Sequence, residues 1–139
     1  MPLKMSGNKL VGKVQKIEEG PISAKVTIQT KGGHDVIAKI MMSSIQSLGL
    51  KVGMEAYAVF KGAAVLIAAS GTKISGNKIP GKISKIDEGA ANATVVVDVG
   101  GGQTVSSIIM MGSLKEMGLK TGTDVLAVIK PASVFVAVA

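Results

Sequence analysis

Few side chains in this sequence are suited to carrying out a chemical reaction. The single histidine, His34, lies in a glycine-rich turn, and the acidic pairs Glu18-Glu19 and Asp87-Glu88 stand directly before glycines. An exposed turn histidine and solvated turn carboxylates explain these residues better than general acid–base catalysis does. With no cysteine and one histidine, side-chain ligation of a transition-metal cation is also disfavoured. The sequence therefore predicts no catalytic residues and a protein that is not an enzyme.

Groups suited to holding an anion occur at three places, and each place occurs twice. A Ser-Gly-Asn stretch precedes an apolar run, a serine falls in the first turn of a short predicted helix, and a lysine follows a predicted strand. Backbone N–H groups near glycine, hydroxyls and ammonium groups all favour negative charge. Taken singly, each also has a plain structural explanation as a turn serine, a helix cap or a solvated lysine. The candidate oxyanion-binding residues are Ser6, Gly7, Ser44, Lys61, Ser75, Gly76, Ser113 and Lys130.

The duplication of these groups comes from an internal repeat. Lys4 aligns with Lys73, and the same offset continues without a gap to the end of the chain. Repetition of one unit at a fixed offset indicates two copies of a single module. We predict two domains, at residues 1–69 and 73–139, joined by a linker at 70–72.

Each copy is predicted to consist mostly of β-strands. Ala24, Val26 and Ile28 alternate with polar residues, which is the period-two pattern of a half-buried strand. A glycine-rich turn at 31–34 then predicts a hairpin. The corresponding glycines at 100–102 are also interpreted as a hairpin turn, because the Lys-Ser/Thr pair of a phosphate-binding loop does not follow them.

One short helix is predicted between the third and fourth strands of each copy. Ser43 is its predicted N-cap, Gln46 stands at capping-box spacing, and Gly49 ends the helix; Gly112 takes the cap position in the second copy. Five short strands with a helix in this place predict an OB-like barrel. The expected fold class is all-β, with two tandem OB-like five-stranded small barrels. Because the predicted linker is so short, the copies must pack against each other or exchange elements.

The composition narrows the class of ligand. The chain has 139 residues, of which 47% are hydrophobic and 2% aromatic, and its formal net charge of +7 comes from lysine without any arginine. Missing arginines and aromatic rings disfavour base readout and base stacking, so small anions fit better than nucleic acid. A nucleic-acid-binding OB tandem remains the alternative, followed by a purely structural partner module. No apolar run is long enough to span a membrane, so a soluble cytoplasmic protein is expected.

The order of motifs resembles the molbindin family, whose domains are known as molybdenum–pterin-binding-protein domains. Both copies contain Ser-Gly-Asn-Lys-Leu/Ile-x-Gly, a Gly-Gly hairpin, Ile-Met-Met-x-Ser, Gly-Leu-Lys-x-Gly and Ala-Val-x-Lys. The resemblance implies OB-like barrels, assembly as a homotrimer of tandem chains, and molybdate or tungstate bound between domains and subunits. It also implies a storage and homeostasis role in the cytoplasm, without a catalytic step.

By position, the resemblance implies oxyanion contacts from the serine and asparagine of each loop, the helix serine and the lysine after strand four. These residues are Ser6, Asn8, Ser44 and Lys61 in the first copy and Ser75, Asn77, Ser113 and Lys130 in the second. The sequence departs from the family at two positions in each copy. Gly7 and Gly76 stand where the family has an arginine before the asparagine, and Met41 and Met110 stand where it has a threonine.

Overall fold

A computed structural model describes residues 4–139 of the chain, which contain ten strands and two short helices. The elements in chain order are β1 (Asn8–Glu19), β2 (Ser23–Thr30), β3 (Asp35–Met41), α1 (Met42–Leu48), β4 (Glu55–Phe60), β5 (Leu66–Ala69), β6 (Asn77–Glu88), β7 (Asn92–Asp98), β8 (Thr104–Met110), α2 (Met111–Met117), β9 (Asp124–Ile129) and β10 (Phe135–Ala137). One 3₁₀ turn, Gly62–Ala64, precedes β5, and another, Pro131–Ser133, precedes β10.

The period-two pattern of the sequence places one face of each long strand in the core. In β2, Ala24, Val26 and Ile28 are buried, whereas Lys25 and Gln29 are exposed. The same alternation recurs in β7, so each sheet buries a face of small and branched aliphatic side chains. The predicted all-β class, with two OB-like five-stranded units and a helix after the third strand of each copy, is confirmed.

The two copies exchange their last strands. One sheet has the order β10-β4-β1-β2-β3 and the other has the order β5-β9-β6-β7-β8. β10 therefore completes the sheet of the first copy, where Phe135 pairs with Val59, and β5 completes the sheet of the second, where Leu66 pairs with Val128. Each sheet depends on both copies, and the division into domains at 1–69 and 73–139 stays a prediction.

The N-cap of each helix lies two residues earlier than predicted, and neither N-cap is a serine. The N-cap of α1 is Met41, which makes no side-chain cap hydrogen bond, so the prediction of Ser43 as the N-cap is wrong. The reason is tertiary: the Met42 N–H donates to the Ile22 carbonyl at 2.8 Å, which satisfies a helix-terminal group from the neighbouring loop. Gly49 ends the helix in the left-handed conformation, as predicted.

In α2 the N-cap is Met110, so the prediction of Gly112 at the cap position is also wrong. The equivalent backbone bond explains the shift, because the Met111 N–H donates to the Ala91 carbonyl at 2.9 Å. Gly118 ends this helix with a φ of 62°.

The two hairpin turns pack tip to tip across the boundary between the copies. A Cβ added to Gly32 would lie 2.5 Å from the Val99 carbonyl oxygen, and one added to Gly101 would lie 2.6 Å from the Lys31 carbonyl carbon. Side chains would not fit at this contact, which explains why both turns are rich in glycine. The interpretation of the glycines at 100–102 as a hairpin turn is confirmed by β7 and β8 on either side.

Candidate functional site

Each Ser-Gly-Asn loop leads directly into the first strand of its copy through a glycine with a left-handed backbone. The φ angle is 95° at Gly7 and 105° at Gly76. A Cβ at these positions would lie 3.1 Å from the Phe60 carbonyl oxygen and 3.3 Å from the Ile129 carbonyl oxygen. Glycine thus fits the path of the backbone at both positions, where the family resemblance led us to expect an arginine.

The asparagines of the two loops join the copies. One side-chain N–H of Asn8 donates to the Ser106 carbonyl at 2.9 Å, and the Asn8 side-chain oxygen accepts the Ser106 N–H at 2.8 Å. Asn77 makes the same two bonds to Ile37, both at 2.8 Å. Each amide therefore pairs like a peptide unit with an edge strand of the other copy. An oxyanion contact of Asn8 or Asn77 stays a prediction, and the geometry gives both residues a positioning role.

The loop of the second copy lines a cleft of about 810 Å³, which we call site 2. Its wall combines the loop, the 3₁₀ turn before β10 and the outer face of β2 and β3. The cleft thus joins residues of both copies. The polar and glycine residues of site 2 are Lys25, Lys39, Ser75, Gly76, Lys130 and Ser133.

The loop of the first copy lines a smaller cleft of about 310 Å³, which we call site 1. It is the counterpart of site 2, but its facing strands present Thr94 and Ile108 where site 2 has lysines. Ser6 and Lys61 are exposed and are not among the residues that line it. The lining residues of site 1 are Gly7, Asn8, Gly62, Thr94, Ser106 and Ile108.

The helix serines lie apart from these two clefts. Ser44 lines a neighbouring cleft of about 400 Å³, whose wall shares Lys39 and Ala132 with site 2. Ser113 is exposed in the first turn of α2. The structure therefore brings Ser75, Gly76 and Lys130 together in one cleft and places Ser44 in the neighbouring one. That these residues contact an oxyanion stays a prediction.

The charge around site 2 is positive and unbalanced. No carboxylate lines the cleft. Within residues 4–139 the ion pairs are Lys16–Glu18, Lys82–Asp124 and Lys85–Asp87, none of which involves a lysine of site 2. An anion entering the cleft would therefore meet ammonium groups that are not already paired with protein carboxylates.

Three residues of site 2 were not among the sequence-derived candidates: Lys25, Lys39 and Ser133. Their signal lies in the comparison of the copies, because the positions 69 residues away from them hold Thr94, Ile108 and Ala64. A search for residues shared by both copies could not find them. Polar residues that differ between the copies are the signal that identifies all three positions.

Other kinds of site are less well supported. Over residues 4–139 there is no cluster of three or more His, Cys, Asp or Glu side chains that could hold a metal ion. His34 has its backbone N–H bonded to the Thr30 hydroxyl at 3.3 Å and lines a separate cleft near Pro80 and Asp98. None of the helices in this part of the chain is long and apolar enough to cross a membrane.

Comparison with known proteins assigns the domain type. The model of the TOBE domain matches the chain twice, at residues 6–67 and 75–136. A solved structure of the cytoplasmic molybdate-binding protein ModG, with molybdate bound, has a TM-score of 0.94 and 35% sequence identity. That match covers 99% of this chain and 100% of that chain.

Curated relatives point to the same kind of protein. The molybdenum transport protein ModE of Herbaspirillum seropedicae is 28% identical over 99% of this chain and 53% of its own length. The molybdenum-pterin-binding protein MopA of Rhodobacter capsulatus is 28% identical over 89% of this chain and 48% of its own length. A probable molybdenum-pterin-binding protein of Haemophilus influenzae is 42% identical over 45% of this chain and 90% of its own length. The chain thus spans about half the length of ModE and MopA.

The two matched segments account for most of the chain, and each contains one copy of the repeat. The similarity to ModG extends over both copies and over the exchanged strands between them. The chain therefore belongs to the TOBE-domain family as a tandem of two molbindin-type domains, which confirms the family resemblance of its motifs.

Proposed function

We propose that this protein binds molybdate or tungstate reversibly, as a store of the oxyanion in the cytoplasm, and catalyses no reaction. The observation that carries the proposal is site 2, where hydroxyls, a glycine loop and three lysines line one cleft without a carboxylate. The similarity to ModG, whose structure holds molybdate, supports the choice of anion.

The binding step needs no covalent chemistry. Molybdate is a tetrahedral dianion, and its oxygens accept hydrogen bonds from the Ser75 and Ser133 hydroxyls and from backbone N–H groups near Gly76. The Lys130 ammonium adds a charge-assisted contact, which is shorter and stronger than a neutral hydrogen bond. Ser44 lines the neighbouring cleft, which shares Lys39 and Ala132 with site 2.

Selectivity over sulfate follows from size, since both anions carry the same charge. The longer metal–oxygen bonds of molybdate and tungstate place their oxygens farther apart than those of sulfate. The 3₁₀ turn and the loop hold the hydrogen-bond donors of site 2 in fixed positions. These positions match the oxygen spacing of one size of anion better than that of the other. We therefore expect molybdate and tungstate to bind with similar affinity, and sulfate to bind more weakly.

We also propose that the chain assembles as a homotrimer. Large apolar side chains are exposed on the strands at the edges of both sheets: Met41, Leu66, Ile108, Met110 and Phe135. Unpaired strand edges with apolar side chains favour association with another chain. Light scattering on the purified protein measures this directly; a mass of three chains is expected, and a monomer at micromolar concentration would contradict it.

Calorimetric titration tests the proposed ligand. Molybdate, tungstate and sulfate are added in turn to protein freed of bound anion, with sodium chloride of equal ionic strength as the control. The expected result is saturable heat and a raised melting temperature with molybdate and tungstate, and a weaker response with sulfate. Absence of heat and of a thermal shift with the first two would overturn the proposal.

Nucleic acid is a poorer fit as the ligand. Among the three aromatic residues, Phe60 is buried and Tyr57 is half-buried, so Phe135 alone presents a fully exposed ring. One ring on an edge strand is not a stacking platform for successive bases. Titration with a labelled oligonucleotide at low salt is expected to give no binding beyond a weak, salt-sensitive background.

A further inference from the structure

The outer face of the first sheet has two lysines directly opposite each other. Lys25 of β2 and Lys39 of β3 are partners in the antiparallel register, so their side chains leave the same face at neighbouring positions. Like charges at opposite positions in a sheet repel and destabilise the pair. A negatively charged group close to both ammonium groups would relieve this repulsion.

Within residues 4–139, no carboxylate forms an ion pair with either of these lysines. Glu18 of β1 stands opposite Lys25 in the sheet, but its Oε1 lies 3.3 Å from the Lys16 ammonium, and no ion pair joins it to Lys25. Lys39 forms no ion pair with any residue in the described range either. Both lysines instead line site 2, where Lys130 of the other copy adds a third ammonium group.

The equivalent place in the second copy lacks this feature. Thr94 of β7 faces Ile108 of β8 in the same register, and both line site 1. The frame around the two sites is otherwise repeated, with a left-handed glycine and an asparagine bonded to the other copy at each. The repeat thus keeps this frame at both sites and replaces the two facing lysines of site 2 by uncharged residues at site 1.

We propose that Lys25 and Lys39, together with Lys130, make site 2 a tighter site for a tetrahedral dianion than site 1, so that one chain fills its two sites in order. This inference rests on the proposed oxyanion-binding function and adds which half of the molecule binds first. The anion supplies the counter-charge that the two facing lysines lack. It also connects both copies, because Lys130 and Ser75 come from the second copy and the facing lysines come from the first.

The test exchanges residues between the copies. The double variant Lys25→Thr/Lys39→Ile gives site 2 the strand face of site 1, and both new residues favour β-strands, so folding is retained. The expected result is an affinity for molybdate at the tighter site that falls by about tenfold, since each exposed ammonium contributes a few-fold. The melting temperature without anion is expected to stay the same or rise, because the repulsion has been removed.

A matched control separates this effect from net charge. Lys51→Thr/Lys120→Thr removes the same two charges from turns that line neither site, and it should leave molybdate affinity within about twofold of the parent chain. The reciprocal variant Thr94→Lys/Ile108→Lys should strengthen binding at site 1. An equal loss in the control and in Lys25→Thr/Lys39→Ile would overturn the inference.

The outcomes also distinguish the inference from the function on which it rests. If the parent chain binds neither molybdate nor tungstate, the proposed function fails and the inference fails with it. If the parent chain binds molybdate and Lys25→Thr/Lys39→Ile binds it equally well, the function stands and the inference alone is wrong. Calorimetry reports both affinity and the number of anions per chain, so one data set decides between these results.

Discussion

Sites 1 and 2 have the same supporting frame, and they differ in what faces it. In each, a glycine with positive φ turns the loop and an asparagine ties it to an edge strand of the other copy. The facing strands then present two lysines at site 2 and a threonine and an isoleucine at site 1. The comparison separates the residues that support the fold from the residues that determine the charge around a ligand. Shared residues hold the copies together, whereas unshared ones set the charge of each cleft.

The strand exchange explains how such a difference can persist. Every site is built from one copy's loop and the other copy's sheet, because the 3₁₀ turn that leads into an exchanged strand lies on the neighbouring copy. A substitution in β2 or β3 therefore alters site 2 and leaves site 1 untouched. One chain can in this way hold two related clefts of different charge.

The largest expected effect comes from removing a shared residue. Asn77→Ala deletes two hydrogen bonds of 2.8 Å and leaves the Ile37 N–H and carbonyl without their partner, so we expect a loss of about 2 kcal/mol in the free energy of unfolding. Asn8→Ala should cost the same, since it deletes the equivalent pair at Ser106. Urea titration measures both. Clearly unequal losses would show that the frames of the two sites are not equivalent.

A smaller loss is expected at a buried contact beside site 1. The hydroxyl of Ser107, which is fully buried, donates to the Val65 carbonyl at 2.7 Å. Ser107→Ala should lower the free energy of unfolding by about 1 kcal/mol, because a buried hydrogen bond is lost. The equivalent position in the first copy is Ala38, so Ala38→Ser is the matched control. It places a hydroxyl at the same point of the repeat and should change stability by less than Ser107→Ala does.

The next prediction concerns a ligand-facing hydroxyl present in only one copy. Ser133 lines site 2, and the equivalent position in the first copy, Ala64, offers no hydroxyl and also lines site 2 rather than site 1. Ser133→Ala should weaken molybdate binding at the tighter site by about fivefold, the effect of losing one hydrogen bond to a charged group at an accessible position. If Ser133→Ala leaves the calorimetric affinity unchanged, Ser133 does not contact the anion.

Much of the fold could be predicted from the sequence because its signals are local. Alternation in β2, glycine-rich hairpins and the left-handed Gly49 each follow from a few neighbouring residues. The exchange of β5 and β10 could not be predicted in the same way. A strand fits the edge of β4 or of β9 equally well when the copies are so similar, so the local sequence pattern does not choose between the two edges.

The residues of the candidate site could be predicted only in part, because some of them carry no local signal in the sequence. The residues shared by the copies, such as Ser75 and Lys130, could be selected from the repeat, and they do lie in one cleft. Lys25 and Lys39 lie in ordinary exposed strand positions, where lysine is common, so nothing local marks them. Their importance depends on register and on the arrival of a loop from the other copy, which are both consequences of the tertiary fold.

The smallest expected effect is a difference between the two sites in how strongly ionic strength lowers their affinity for the anion. Raising the ionic strength from about 0.01 M to about 0.1 M shortens the Debye length from about 30 Å to about 10 Å, which weakens attraction between an anion and exposed ammonium groups. Site 2 has three such groups in its wall, so its affinity should fall by about threefold, whereas site 1 should change less. The variant Lys25→Thr/Lys39→Ile is the matched control, and its site 2, which keeps only Lys130, should be less sensitive to salt than site 2 of the parent chain. Equal salt dependence before and after this substitution would mean that the facing lysines do not act on the bound anion.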